Sequence, residues 1–154
     1  MEFENLERVL KEYGEEVAQF YKKKLISDNK KATGDLINSI RSQIEIAGEK
    51  YIVELELADY WRYVESGAKP HWPPVNKIIK WIKDKPVIPR EVKGIKPTTE
   101  QLAFLIGRKI SRDGIKGGLQ LSQTVAELNS KWMPIIEDAI TKDILKDLEE
   151  IIIR

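Results

Sequence analysis

The chain has 154 residues, 42% of them hydrophobic and 33% charged, with a formal net charge of +1. This balance predicts a single folded domain over residues 1–154 and argues against extended disorder. Cysteine is absent and His71 is the one histidine, which excludes disulfides, thiolate metal sites and a cysteine nucleophile. No segment approaches the roughly 20 consecutive apolar residues of a membrane span, and the first residues lack a signal-peptide pattern. We therefore expect no membrane partner and a protein that stays in the compartment where it is made.

A long amphipathic helix is predicted from about residue 3 to 26, because its apolar residues recur at spacings of three and four. Turn formers and lysines fill residues 27–31. A short helix is predicted over residues 33–40, with Thr33 or Asp35 as its cap. Its apolar residues are expected to face the core: Leu36, Ile37 and Ile40.

Two antiparallel strands are predicted next, joined by a turn at residues 48–50. Apolar and polar residues alternate on both sides of this turn, most clearly at Tyr51, Val53, Leu55 and Leu57. Because an isolated hairpin is marginal in water, its apolar face must pack against the helices or against strands of another copy.

Helical spacing returns in residues 58–67, with Asp59 as the expected cap and Gly67 as the stop. A proline-rich basic loop follows, and a further amphipathic helix is predicted from Val75 to near Pro86. Two tryptophans fall on the apolar stripes of these helices and are expected in the core: Trp61 and Trp81.

Three prolines and a glycine in residues 86–97 predict a surface loop, which we expect to be mobile in the free protein and ordered in an assembly. A helix over residues 99–112 follows a capping signal and ends at Asp113-Gly114. The last predicted helix runs from Trp132 to the end of the chain. Its apolar end, Ile151 to Ile153, is expected to fold back onto the core or to be covered by a neighbouring subunit. The predicted fold class is α+β, a small antiparallel sheet packed by several helices, with long N- and C-terminal helices.

The residue types offer little for catalysis. A serine triad would need His71 as its base, yet His71 lies in a proline-rich loop and no Gly-x-Ser-x-Gly turn is present. Asp59, Glu65 and His71 could supply metal ligands, but carboxylates on short helices are more often caps. The glycines at 114–118 follow a helix, whereas a phosphate-binding loop follows a strand. We expect no catalytic, cofactor or metal site, and no enzymatic activity.

Charge is distributed unevenly along the chain. Residues 1–21 carry −4 and residues 123–154 carry −3, whereas residues 68–96 carry +6. Such a pattern has three possible meanings. It is a surface feature without function, or opposite patches dock one copy on the next, or a basic rim contacts DNA. The candidate interface residues are Lys69, His71, Trp72, Arg90, Lys93, Lys96, Arg108 and Lys116.

Four segments share their order and motifs with a known family. Residues 33–40 resemble its "Gly-x-Leu…Ser-Ile" opening, and residues 60–67 contain its "Tyr-Val-Glu-x-Gly" centre. Residues 73–82 and 102–117 are similar to a variant with an inserted helix and an "Ala-x-x-Ile-x-Arg-Lys-Ile-x-Arg-x-Gly-Ile-Lys" helix. Together these segments resemble the head-tail joining proteins of tailed bacteriophages, also called neck, tail-completion or minor tail-component proteins.

The resemblance implies an α+β subunit that forms a homo-oligomeric ring between the portal complex and the tail. It implies portal or adaptor and tail proteins as partners, non-specific contact with packaged DNA, and a place in the virion after a stage in the host cytoplasm. The Lys-Pro-His-Trp-Pro-Pro loop departs from the glycine-rich stretch of many relatives. The alternative function is a small DNA-binding protein that contacts phosphates through its basic middle segment.

Overall fold

The computed structural model describes residues 2–28, 34–85, 87–91 and 93–153. The predicted cap Thr33, residues 29–31 of the predicted turn, and Pro86 and Val92 of the predicted loop lie outside these ranges. The elements are α1 (Glu4–Ser27), α2 (Asp35–Ser39), β1 (Arg41–Ala47), β2 (Lys50–Glu56), α3 (Trp61–Ser66), β3 (Gly67–Ala68), α4 (Val75–Asp84), α5 (Thr99–Asp113), β4 (Ile115–Lys116) and α6 (Gln120–Ile153). The predicted α+β class is confirmed, with long helices at both ends and two small antiparallel sheets.

The two long helices α1 and α6 pack against each other as an antiparallel pair. Val9 and Val17 of α1 meet a buried stripe of α6 that includes Leu128 and Trp132. Ion pairs fix the direction, since Lys24 near the end of α1 meets Glu127 and Glu4 at its start meets Lys146. The hairpin packs on α1 and α3 contacts α6, so this pair forms the framework of the structure outside α4 and α5.

The predicted hairpin is confirmed as β1 and β2, with Ile44 opposite Val53 and Ile46 opposite Tyr51. One face of the hairpin lies against α1 of the same chain, which decides between the two packing partners considered above. The half-buried residues of that face are Ser42, Ile44, Tyr51, Val53 and Leu55.

A second apolar cluster joins α2 and α3 to the later part of α1, where Tyr21 and Leu25 are fully buried. Leu36 and Ile40 are buried in it and Ile37 packs at its edge, as predicted. The predicted caps Asp35 and Asp59 are wrong. Gly34 and Tyr60 hold the N-cap positions of α2 and α3, and neither caps its helix with a side-chain hydrogen bond.

The segment between β3 and β4, residues 69–114, forms an arm that leaves and rejoins the rest of the chain at one place. β3 pairs antiparallel with β4, so the two ends of the arm lie side by side. α4 and α5 pack on each other around Ile78, Ile82 and Ala103, and among the described residues this cluster shares no member with the other two. We call residues 2–68 and 115–153 the body. That residues 1–154 form one domain stays a prediction.

α5 begins as predicted, because Thr98 and Gln101 form a capping box at its start. The start of α6, by contrast, lies at Gln120, well before the predicted Trp132. The buried stripe of this first part is Gln120, Thr124, Leu128 and Trp132, and its first two members are polar. Thr124 Oγ1 donates to the Gln120 carbonyl at 2.8 Å. The periodic pattern of apolar residues is therefore interrupted where the helix begins. The helix continues through Pro134.

Two expectations of burial in the core are wrong. The end of α6 does not fold back onto the core, since Ile151, Ile152 and Ile153 are 70%, 80% and 85% exposed; its cover by a neighbouring subunit stays a prediction. Trp81 is 40% exposed, with Lys85 Nζ 5.6 Å from its ring centroid, whereas Trp61 is half-buried against the second cluster. Among the described residues, no helix has both the length and the apolar character needed to cross a membrane.

Candidate interaction surfaces

The junction between arm and body is built on a buried carboxylate. Glu65, at the end of α3, accepts hydrogen bonds from the backbone N–H groups of Leu121 and Ser122, each at 2.9 Å, and from the Ser122 hydroxyl. These N–H groups belong to the first turn of α6, where they have no partner within the helix. Glu65 therefore caps α6 and ties it to α3, which leads into the arm.

Two glycines let the backbones cross at this junction. Gly67 has φ of +75°, and a Cβ there would overlap the Ile115 carbonyl oxygen. A Cβ at Gly117 would overlap the Glu65 carbonyl oxygen. Side chains at either position would separate β3 from β4. The Tyr-Val-Glu-x-Gly and Gly-Ile-Lys-Gly segments, which carried much of the family resemblance, thus meet in one structural unit.

The arm and the body carry opposite net charge. The arm holds eleven lysine and arginine residues and four acidic residues, a net charge of +7, so the rest of the chain carries −6. The sequence had already indicated a basic middle segment. The structure shows that this segment, extended to residue 114, is a separate projection with its own apolar cluster.

All eight candidate interface residues are exposed, seven of them on the arm and Lys116 on β4 beside it. Arg90, Lys93 and Lys96 lie in the connection from α4 to α5. The Trp72 ring lies over α5, with its centroid 5.5 Å from that of Phe104 and its edge against Gly107. Trp72 therefore packs on α5, the helix that carries Arg108. His71 Nδ1 lies 2.7 Å from the Lys69 carbonyl oxygen.

The arm also carries an apolar face that the predicted interface residues did not include, formed by Phe104 and Leu105 of α5. Both are 52% exposed, and they line a shallow depression together with Pro97, Glu100 and Gln101. The residues of α5 that meet α4 are Leu102, Ala103 and Ile106. The spacing of four from Leu102 through Ile106 to Ile110 already marked the buried stripe and left Phe104 and Leu105 outside it.

A second exposed apolar surface is the end of α6. α1 starts at Glu4, whose carboxylate meets Lys146 at 3.1 Å, and α6 continues for seven residues beyond that point. We call residues 147–153 the overhang. Its exposed apolar residues are Leu148, Ile151, Ile152 and Ile153, and its acidic residues are Asp147, Glu149 and Glu150.

The carboxylates of the described residues do not form a metal site. None of the His, Asp and Glu residues in the described part of the chain form a group of three or more that could hold a metal ion. Glu65 is engaged as the cap of α6, and Asp59 and His71 are exposed. Comparisons with protein-family models, with curated proteins and with solved structures give no significant match.

Proposed function

We propose that this chain is a structural virion protein of a tailed phage, which forms a ring in the neck or tail-completion complex that joins the head and portal to the tail. The family resemblance of residues 33–118 is the source of this assignment. It is supported by an architecture in which motif residues, Glu65, Gly67 and Gly117, hold an arm on a body.

The observation that carries the proposal is the opposite charge of arm and body on one chain. Like charges repel, so the arm of one copy is repelled by the arm of another and attracted by its body. Such a contact is head-to-tail. Head-to-tail contacts close into a ring when the rotation from copy to copy divides a full turn.

The proposal is tested by the mass and shape of the purified protein. We expect light scattering after gel filtration to give a multiple of the subunit mass, and electron microscopy to show rings. Phage particles that lack the protein should have filled heads without tails. A protein that remains monomeric at every concentration, with particles that join their tails normally in its absence, contradicts the proposal.

The second candidate is a small DNA-binding protein, and two exposed tryptophans favour it. Trp72 and Trp81 are exposed on the basic arm, and aromatic rings beside lysines are the groups that bind single-stranded nucleic acid by stacking and charge. Filter binding with the isolated protein over a range of salt concentrations separates the candidates. Tight binding whose logarithm falls steeply with the logarithm of salt concentration favours DNA binding, whereas weak binding by a protein that forms rings favours assembly.

A further inference from the structure

We propose that the contact between copies is made by the overhang of one copy, which packs on the Trp72–Phe104–Leu105 surface of the next copy's arm. This inference rests on the proposed self-assembly and specifies which two surfaces meet. Neither surface is covered by the residues that the structure describes.

The overhang has the form of a docking helix. Leu148, Ile151 and Ile152 follow one another at spacings of three and one, and the first and last are four apart, so they share one face of α6. The seven residues extend about 10 Å past the start of α1. A solvent-exposed cluster of large aliphatic side chains at the end of a well-formed helix is typical of a surface that another molecule covers.

The arm carries the matching surface. Phe104 and Leu105 project from the side of α5 that does not meet α4, and the Trp72 ring extends their apolar area. Pro97, Glu100 and Gln101 form its edge. The result is a shallow depression bordered by polar groups, into which the aliphatic face of a helix can pack.

The charges around the two surfaces are complementary. Arg108 and Lys109 lie four residues after Phe104 and Leu105, so they stand one helical turn along the same face of α5. In the overhang, the acids Asp147, Glu149 and Glu150 are interleaved with the aliphatic residues. When apolar faces meet, these opposite charges are placed at the rim, where they set orientation and partner choice.

The geometry of a single chain excludes its own overhang as the occupant, so in the proposed assembly the overhang comes from a second copy. The arm joins the body beside Gln120, at the start of α6, and Leu148 lies about 42 Å further along that helix. Phe104 lies within about 14 Å of the junction along α5. The overhang therefore cannot reach the arm of its own chain. Because the two surfaces lie at opposite ends of the body, the contact they make is head-to-tail.

The acidic groove on α1 is a weaker match for the arm. It is lined by Glu12, Glu15 and Glu16, and its apolar side chains, Phe20 and Trp132, belong to the body's own core. Glu16 already accepts hydrogen bonds from Lys131 and from Trp132. The groove offers charge to the arm but leaves the exposed apolar residues Phe104 and Leu105 uncovered.

The test uses two variants of the full chain and their mixture. The overhang variant is Ile151→Asp with Ile152→Asp, and the arm variant is Phe104→Glu with Leu105→Glu. We expect each variant alone to be monomeric at concentrations where the wild-type protein is assembled, with a dissociation constant raised at least about tenfold. The mixture should form a one-to-one heterodimer and nothing larger, because it contains one intact overhang and one intact arm.

A matched control replaces apolar residues of the arm's loop that are at least as exposed, Ile88→Asp with Ile95→Asp, and lowers the arm's charge by the same two units as the arm variant. It should stay assembled at concentrations where the arm variant is monomeric. Circular dichroism and thermal unfolding establish that each variant is folded. Should the arm variant unfold, Arg108→Glu with Lys109→Glu takes its place. Its assembly should be restored by a partner carrying Glu149→Lys with Glu150→Lys.

The outcomes separate this inference from the proposed function. Variants that assemble as the wild type does, or a mixture that stays monomeric, overturn the proposed contact and leave ring formation intact. A wild-type protein that is itself monomeric at every concentration overturns both.

Discussion

Asp143 of α6 holds the start of α1 through three hydrogen bonds. It accepts the Leu6 N–H at 2.9 Å, the Asn5 side-chain amide at 2.7 Å and the Asn5 N–H at 3.1 Å. Phe3, the N-cap residue of α1, supplies no side-chain cap. Asp143 thus caps the start of α1 from the other long helix, whereas a helix is usually capped by a serine or aspartate at its own N-cap position. Burial opposes the charge of this carboxyl, but the hydrogen bonds outweigh burial and lower the pKa of Asp143 below 3.8.

We expect Asp143→Asn to lower the free energy of unfolding by about 1–3 kcal/mol at neutral pH, because the new amide turns a donor toward one of these N–H groups. A carboxyl with a lowered folded pKa stabilises the protein above its unfolded pKa of about 3.9, and this contribution is lost as pH falls through the folded value. The difference between variant and wild type should therefore shrink below about pH 4. Asp138→Asn, which changes an exposed acid of the same helix, is the control and should stay within about 0.5 kcal/mol. Denaturant unfolding at several pH values measures both, and a difference that grows in acid would contradict this account.

Tyr21 presents the opposite case, a side chain whose polar atom is buried. The Tyr21 hydroxyl is fully buried and makes no hydrogen bond with the described residues. Its burial, together with nearby Glu65 and Tyr60, raises the pKa of Tyr21 to about 12. Burial of a hydroxyl without a hydrogen-bond partner costs free energy, because the group gives up its hydrogen bonds to water.

Removing that hydroxyl should cost nothing. We expect Tyr21→Phe to leave the free energy of unfolding unchanged or to raise it by up to about 1 kcal/mol. Tyr13→Phe is the matched control, since the Tyr13 hydroxyl donates to Asn129 Oδ1 at 2.8 Å, and its loss should be neutral to slightly destabilising. Thermal and denaturant unfolding decide, and a clear loss of stability in Tyr21→Phe would show that the hydroxyl has a partner.

At the scale of the elements, Glu65 couples the start of α6 to the arm. We expect Glu65→Gln to lower the free energy of unfolding by about 1–3 kcal/mol, because one N–H of the first turn of α6 then faces an amide donor. Hydrogen exchange should accelerate at Leu121 and Ser122. Glu127→Gln, further along the same helix and partly exposed in an ion pair with Lys24, is the control and should leave exchange at these two amides unchanged. Equal protection of these two amides in both variants would contradict the role of Glu65 as the cap of α6.

The elements that could be predicted from sequence are those whose signals are local. The stripe of α1, the alternation of the hairpin and the capping box at Thr98 each act within a few residues. The start of α6 could not be found in this way, because its cap, Glu65, lies 56 residues before Leu121 in the chain. Gln120 and Thr124 also take buried positions where an apolar residue would have marked the helix.

The candidate interface was predictable in its charged part and at Trp72, but not in the rest of its apolar part. Lysine and arginine side chains such as Arg90, Lys93 and Lys96 stay in water in nearly any fold, so their exposure follows from composition. Apolar residues are assigned to a core by default, and for this reason Phe104 and Leu105 were not among the predicted interface residues, and the end of α6 was expected against the core or under a neighbouring subunit. Their exposure depends on which side of each helix the rest of the chain covers, and that is set by tertiary packing.

On the scale of the whole molecule, the separation of charge is also a separation in space. The arm and the overhang stand at opposite ends of α6, with the α1–α6 pair between them. A subunit of this kind presents different surfaces at its two ends, which is the arrangement that a head-to-tail assembly requires. The charge of the arm as a whole should therefore govern how strongly copies attract one another before the apolar surfaces meet.

Reversing three charges of the arm's loop tests that role. Arg90→Glu, Lys93→Glu and Lys96→Glu together bring the arm from +7 to +1. We expect assembly to weaken strongly at low salt and little at high salt, because the screening length falls from about 10 Å at 0.1 M to about 3 Å at 1 M. The control, Lys11→Glu with Arg41→Glu and Lys50→Glu, reverses three exposed bases of the body and gives the chain the same net charge. It makes the body more acidic and should leave assembly unchanged or strengthen it. Sedimentation at both salt concentrations compares the two, and equal weakening would mean that net charge, not the attraction of arm to body, controls assembly.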